Sequence, residues 1–325
     1  MNVAYRLYRE SDLPGVQRLW EEKAGWGKIT PEMYRRYVEE APLGISGVVA
    51  EETETGEILG MFAFVPSIVV VDGRPISAFR PAAPIVSDSF RVRSVNPMQH
   101  PVAAMYMQAV RLLRSRGEGL IYMVPDPRWV PFFRLFRNLY AGTFPLWSLR
   151  LPLASPLPLD PAYRVVELET STLDDRVERL WEATSRLHGC TVVRNVAALR
   201  WKLGQEEYSI LGIEREGELV GLVASRQKGD RQWLICDVMF ADAQESLRAT
   251  LTAASNLAHE QARAADPAHP IHKAAVLATP VMEPVVRSLG FYRDDYDFPL
   301  VIHLLDKSIP RDEVAPSRWY VSAND

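Results

Sequence analysis

One short pattern occurs twice at a fixed interval, and it restricts the possible folds more than any other feature of the chain. Gly56-Glu57-Ile58-Leu59-Gly60 returns 161 residues later, from 56 to 217, as Gly217-Glu218-Leu219-Val220-Gly221. The same interval, from 20 to 181, separates Gln17-Arg18-Leu19-Trp20-Glu21 from Glu178-Arg179-Leu180-Trp181-Glu182. One pair falls on an expected hairpin and the other on an expected helix. A period this long reads as one domain-sized fold used twice, not as a solenoid of short repeats. Length agrees, since 325 residues is long for one core and suggests two domains of about 150 residues.

Charge and cysteine content exclude several functions. A net charge of −4 without a Lys/Arg block gives no footprint for nucleic acid or an anionic membrane, so neither is expected as a partner. Residues 1–12 carry charge throughout and lack the apolar core of a secretory signal. No apolar run approaches the ~20 residues of a membrane span. Cys190 and Cys236 are the only cysteines. They exclude a disulfide framework and a Cys-x-x-Cys metal site, and read as reduced thiols in a cytoplasmic protein without a metal.

The order of elements defines the fold class. Residues 3–8 alternate as a strand, and Ser11 caps a helix with Pro14 in its first turn. Thr30-Pro31-Glu32 starts a second helix that ends near Pro42. Strands follow at 46–51, 57–65 and 68–71; the last turns at Asp72-Gly73 into a return strand at 74–79. Residues 82–88 read as a central strand and 91–100 as an irregular connection. Pro101 opens a helix through Arg114, ended by Gly117 and Gly119. Then come a buried strand at 120–124, a helix at 131–139 and a closing strand at 146–151.

Four prolines within 152–161 mark a semi-rigid linker. It separates a first domain, 1–151, from a second, 162–305, with a polar tail at 306–325 whose Trp319-Tyr320 pair is expected to pack back. The second domain repeats the order: strand 163–168, helix 174–187, a helix capped by Asn195, strands 208–213 and 218–225, and central strand 232–240. A long helix capped by Asp242, strand 273–278, helix 281–288 and closing strand 297–304 complete it. Hairpins followed by strand–helix–strand give an α+β fold, each domain a mixed, mostly antiparallel sheet flanked by helices.

This order resembles the GCN5-related N-acetyltransferase (GNAT) fold: a central strand feeds a long helix, then a strand and a short helix end in Leu289-Gly290-Phe291. The likeness covers both halves, so the chain looks like two tandem GNAT domains. The second half also resembles acyltransferases of bacterial polysaccharide gene clusters, through Arg200-Trp201 and Trp319-Tyr320. The resemblance implies an acyl-CoA-dependent N-acyltransferase, with acetyl-CoA or another acyl-CoA as cofactor and a small-molecule amine or amino sugar as acceptor. The alternative is a catalytically degenerate binding or scaffold protein on the same fold.

The family's phosphate loop, Gln/Arg-x-x-Gly-x-Gly/Ala, lets backbone N–H groups meet the coenzyme pyrophosphate at a helix N-terminus. The first half offers Gln99-His100-Pro101-Val102-Ala103-Ala104, with Val102 in place of Gly and Pro101 lacking an N–H. The second offers Phe240 to Ser246, without glycine and with two carboxylates, Asp242 and Glu245, that repel phosphate. Coenzyme is therefore expected in the first half, held by Ile85, Val86 and Ser87 of the central strand and by Gln99, Val102, Ala103 and Ala104. The tyrosine acid of the family falls on Phe133 and Val286, neither a proton donor, so the substitute acid is expected to be Tyr122, on the preceding strand, or Tyr140, just after the helix. Asp88 is the candidate base or water-holding group; the alternative is a strand-end carboxylate bonded to its own turn. Asp237, Glu51 and Glu52 are further carboxylates to place.

Overall fold

A computed structural model describes residues 2–23, 30, 32, 35, 40, 43, 46–91, 100–134, 136, 139–204, 207–229 and 231–325. The helix expected from Thr30 to Pro42 lies largely outside the described residues. Fourteen strands are seen among those described: β1 (Val3–Leu7), β2 (Ser46–Glu52), β3 (Ile58–Val71), β4 (Arg74–Val86), β5 (Leu120–Met123), β6 (Leu139–Arg150) and β7 (Tyr163–Leu168), followed by β8 (Cys190–Val192), β9 (Ser209–Arg215), β10 (Glu218–Lys228), β11 (Gln232–Phe240), β12 (Lys273–Leu277), β13 (Tyr292–Leu304) and β14 (Trp319–Tyr320). The helices are α1 (Leu13–Lys23), α2 (Pro101–Ser115), α3 (Val130–Phe133), α4 (Asp175–Arg186), α5 (Val196–Leu203), α6 (Glu245–Ala264) and α7 (Glu283–Ser288). The α+β class is as expected, a large and mostly antiparallel sheet flanked by helices.

The repeated sequence has a structural cause. Gly56 and Gly217 take φ of 73° and 85°, the left-handed region where a side chain is costly. Each hairpin then skips one residue. Ala50 faces Gly60 while Glu51 faces Ile58, and Ile213 faces Gly221 while Glu214 faces Leu219. Leu59 and Val220 are therefore bulged at equivalent places. Gly60 and Gly221 next admit the long helices: an added Cβ would lie 3.3 Å from Met105 of α2 and 2.0 Å from the Thr250 hydroxyl of α6. Gly221→Ala is expected to cost about 1–3 kcal/mol through this overlap, read as a lower urea midpoint.

The closing strands depart from expectation. In space the strands run β1-β2-β3-β4-β5-β13-β6-β12-β11-β10-β9-β7. The first half's β6 lies against β12 of the second, and the second half's β13 lies against β5 of the first. The two exchanged strands also pair with each other. Side-chain alternation says that a segment is a strand, but not which edge it joins. This pairing also ends α3 at Phe133 and starts β6 at Leu139, where the sequence suggested helix to 139.

A second bridge joins the halves. The β3–β4 hairpin extends beyond β2, and its end pairs with β8, Val71 facing Cys190 and Val69 facing Val192. β14 adds to the other edge of β8, and Arg318 pairs with Asp72 at the hairpin tip. Trp319 and Tyr320 are each 1% exposed, so the tail packs back as expected. Three-residue β8 gives no periodic signal, and the sequence did not reveal it. Cys190 and Cys236 are buried, free thiols, and burial pushes both up to about 12. No helix among the described residues is long and apolar enough to cross a membrane.

Candidate functional site

The central strand of the first half is half edge. β4 pairs in parallel with β5 at Ala78–Leu120 and Phe79–Ile121, then continues to Val86 with β3 as its one partner strand among the described residues. Counting alternate pairs from the hairpin closure Val71–Arg74, the backbone groups of Ser77, Phe79 and Pro81 face β5. Gly119 N–H donating to the Ser77 carbonyl at 3.2 Å fits that count. A proline at 81 is tolerated because no strand among the described residues needs its missing donor. The result is a notch between diverging strands.

The expected site residues divide between its two ends. Ile85 packs towards α1 with Val16 and Leu19, and Val86 towards α2 with Val102 and Tyr106. Ser87 N–H donates to the Leu59 carbonyl at 2.8 Å, and its hydroxyl meets Ser89 at 3.0 Å. Asp88 is exposed in the following turn. Tyr122 stands at the opposite end, next to the last β4–β5 pair, on the face away from α2. It is buried, its hydroxyl 3.2 Å from that of Ser67 and its ring 5.8 Å from Trp319. Tyr122 is level with Arg80, and β4 runs on from Arg80 to Val86, on the order of 20 Å, before the turn that holds Asp88. The fold does not bring Asp88 and Tyr122 together.

At the N-terminus of α2 the donors already have partners. The His100 ring Nδ1 accepts from Val102 N–H at 3.2 Å. Its carbonyl accepts from Ala103 and Ala104 N–H at 2.9 and 3.3 Å. Val102 and Ala103 are buried, and Gln99 lies outside the described residues. Burial, and secondarily the Arg91 guanidinium, hold the His100 imidazolium below its ordinary pKa. Arg91 is thus near enough for its charge to be felt at His100. Sequence reading passed it over because it sits in an irregular connection, with no motif spacing to mark it.

The second half has the corresponding notch, and it is full. β11 pairs with β12 as far as Ile235–Val276 and runs on to Phe240. Into the gap comes Tyr320, whose hydroxyl donates to the Val238 carbonyl. Its ring stacks on His188 at 4.4 Å, and the Arg194 guanidinium lies 4.8 Å from it. Arg194 is fully buried. It donates to Asp237 at 2.7 Å, to the Val192 carbonyl at 2.7 Å, to Thr191 and Ser322, and to Asp325. Asp237 is therefore an ion-pair partner, not an open polar site. At the N-terminus of α6 the Asp242 carboxylate accepts from the N–H groups of Gln244, Glu245 and Ser246. Burial alone would raise its pKa, but these bonds win and hold it below the usual range. The chain's own anion stands where a phosphate would bind.

No family model matches the sequence, and no curated protein does. Solved structures do. A GCN5-related N-acetyltransferase from Anabaena variabilis aligns with a TM-score of 0.70 at 11% identity, over 94% of this chain and 73% of its own. A probable N-acyltransferase from Enterococcus faecalis gives 0.68 at 12% over the same shares. A GCN5-related N-acetyltransferase from Kribbella flavida gives 0.61 at 15%, over 93% and 72%. The fold is that of the GCN5-related N-acetyltransferases. Within this GNAT fold, other singled-out residues prove structural. Phe133 and Phe136 pack on Tyr106 with ring centres 5.5 and 4.8 Å apart. Glu51 pairs with Arg6 and Glu52 accepts from Thr55. Arg200 ties α5 to the Thr170 and Leu173 carbonyls. Of the pairs Arg200-Trp201 and Trp319-Tyr320, Arg200 thus ties backbone and Tyr320 fills the second notch.

Proposed function

We propose that the chain is an acyl-CoA-dependent N-acyltransferase built of two GNAT-like units in tandem, with one donor site, in the first unit. The asymmetry of the two notches carries this reading: one has a strand edge open among the described residues, with the Arg91 charge felt at His100, and the other holds Tyr320 and the Asp242 carboxylate. The likeness of the fold to N-acetyltransferase structures supports the same reading.

The residues of the first unit suit such a donor in part. The edge of β4 beyond Phe79, which no described strand pairs, offers backbone groups to a pantetheine arm. Arg91 and the α2 N-terminus, through Val102 N–H and the helix dipole, suit the pyrophosphate, while the N–H groups of Ala103 and Ala104 stay with the His100 carbonyl. His100 has to turn its ring aside to free Val102 N–H. When bound, the coenzyme supplies an activated thioester that an amine attacks; the chain's contribution is mainly alignment and removal of one proton. Tyr122 lies at the divergence end of the notch and is the proposed acid. Asp88 lies at the phosphate end, so it is not assigned the base. The acceptor is proposed only as a small-molecule amine.

A second reading, a GNAT-fold binding or scaffold protein without a donor, is favoured by one observation: His100 already satisfies the α2 amides. Arg91→Glu separates the two. Under the enzyme reading it weakens acetyl-CoA binding about tenfold or more, in line with loss of a charge-assisted contact. Asp242→Ala leaves binding unchanged. Equal losses from the two variants would sink the single-site assignment.

A further inference from the structure

The seam between the halves contains a cavity of about 120 Å³. Pro66, Ser67 and Ile68 of β3 form one wall, and Val192, Ala198 and Trp201 of the second half face them. Its polar wall groups are engaged. The Ser67 hydroxyl meets Tyr122, the Asn195 side chain caps Ala198 N–H at 2.9 Å, and Lys202 Nζ is held by Asp325 at 2.7 Å. The other oxygen of Asp325 is taken by Arg194. A pocket with its polar groups satisfied internally rejects a polar guest and welcomes an apolar one. Cavities of ~150 Å³ take benzene, so this one has room for about four carbons.

Its position adds the rest. Ser67 is shared between the cavity wall and Tyr122, and Tyr122 stands where β4 and β5 part. We propose that the seam pocket receives the aliphatic end of the transferred acyl group, making the protein selective for acyl chains of about four carbons. This rests on the acyltransferase reading above. Walls from both halves also give the exchanged, bridged architecture a purpose: neither half alone encloses the chain.

The test is isothermal titration of the full chain with acetyl-, butyryl- and octanoyl-CoA, on wild type and on Ala198→Leu, which fills the pocket. Each buried methylene is worth about fourfold in affinity. Butyryl-CoA should bind about 15-fold tighter than acetyl-CoA, octanoyl-CoA should gain nothing further, and Ala198→Leu should erase the difference while keeping acetyl-CoA binding. Butyramide alone should perturb the fluorescence of wild type but not of Trp201→Phe. Equal affinity for acetyl- and butyryl-CoA overturns the inference while leaving the acyltransferase reading intact. A pocket that binds n-butylamine, with no chain-length effect among thioesters, belongs to the acceptor and overturns it too. If no thioester binds, the acyltransferase reading falls, and the assignment of the pocket falls with it.

Discussion

Replacing Arg194 by Met is expected to lower the unfolding free energy by about 3–5 kcal/mol, because it strands two buried carboxylates. Arg194 has no exposed side-chain surface, and Asp237 and Asp325 are buried beside it. One oxygen of Asp237 already lacks a partner, so the carboxylate depends on Arg194 Nε. The Arg194 charge also faces the Tyr320 ring, so its loss loosens the group that fills the second notch. At about 2–4 °C per kcal/mol for domains of this size, the melting temperature should fall by roughly 10 °C. Lys202→Met should cost less, since Lys202 is partly exposed and Asp325 keeps Arg194. Circular dichroism melts at pH 7 decide this. A loss below about 1 kcal/mol, the range of an exposed pair, would mean that water reaches the network.

Acid should destabilise the protein well before its carboxylates titrate. Burial, then the nearby arginines, push His188 and His303 down to about 4. His303 is held between the Tyr106 hydroxyl at 2.9 Å and Arg114 at 3.3 Å; His188 is stacked on Tyr320. Unfolded, both take up a proton near pH 6.5; folded, neither does until about pH 4. Between those values the unfolded state binds more protons, so stability is full above pH 6.5 and declines as pH falls. Each histidine contributes about 3 kcal/mol to that decline by pH 4. His303→Gln should flatten the slope of unfolding free energy against pH in this window, whatever it does to stability at pH 7. An unchanged slope would show that His303 protonates freely in the folded protein.

The sequence disclosed local devices and concealed partnerships. Gly56 and Gly217 announced their turns because left-handed backbone needs glycine, and Asn195 announced its helix because its side chain caps Ala198. Alternation in 139–150 and 292–304 could not say that each strand would join the other half's sheet. Nor could Trp319-Tyr320 reveal that adjacent residues, pointing to opposite sides of a strand, serve opposite halves: Trp319 against Tyr122, Tyr320 against Val238. At the candidate site, loop composition already put the carboxylates of Asp242 and Glu245 at the start of the long helix, since charge sign is legible in a sequence. The separation of Asp88 from Tyr122 became visible only with the β4–β5 register, and Arg91 only with the turn that brings its charge within reach of His100.

The most direct measurement is calorimetric titration of the intact chain with acetyl-CoA and with free coenzyme A. One site per chain at micromolar strength or tighter, kept in Asp242→Ala and weakened in Arg91→Glu, is the result expected of a single donor site in the first unit. A folded protein that gives no heat at millimolar coenzyme, or one that binds two per chain, contradicts it.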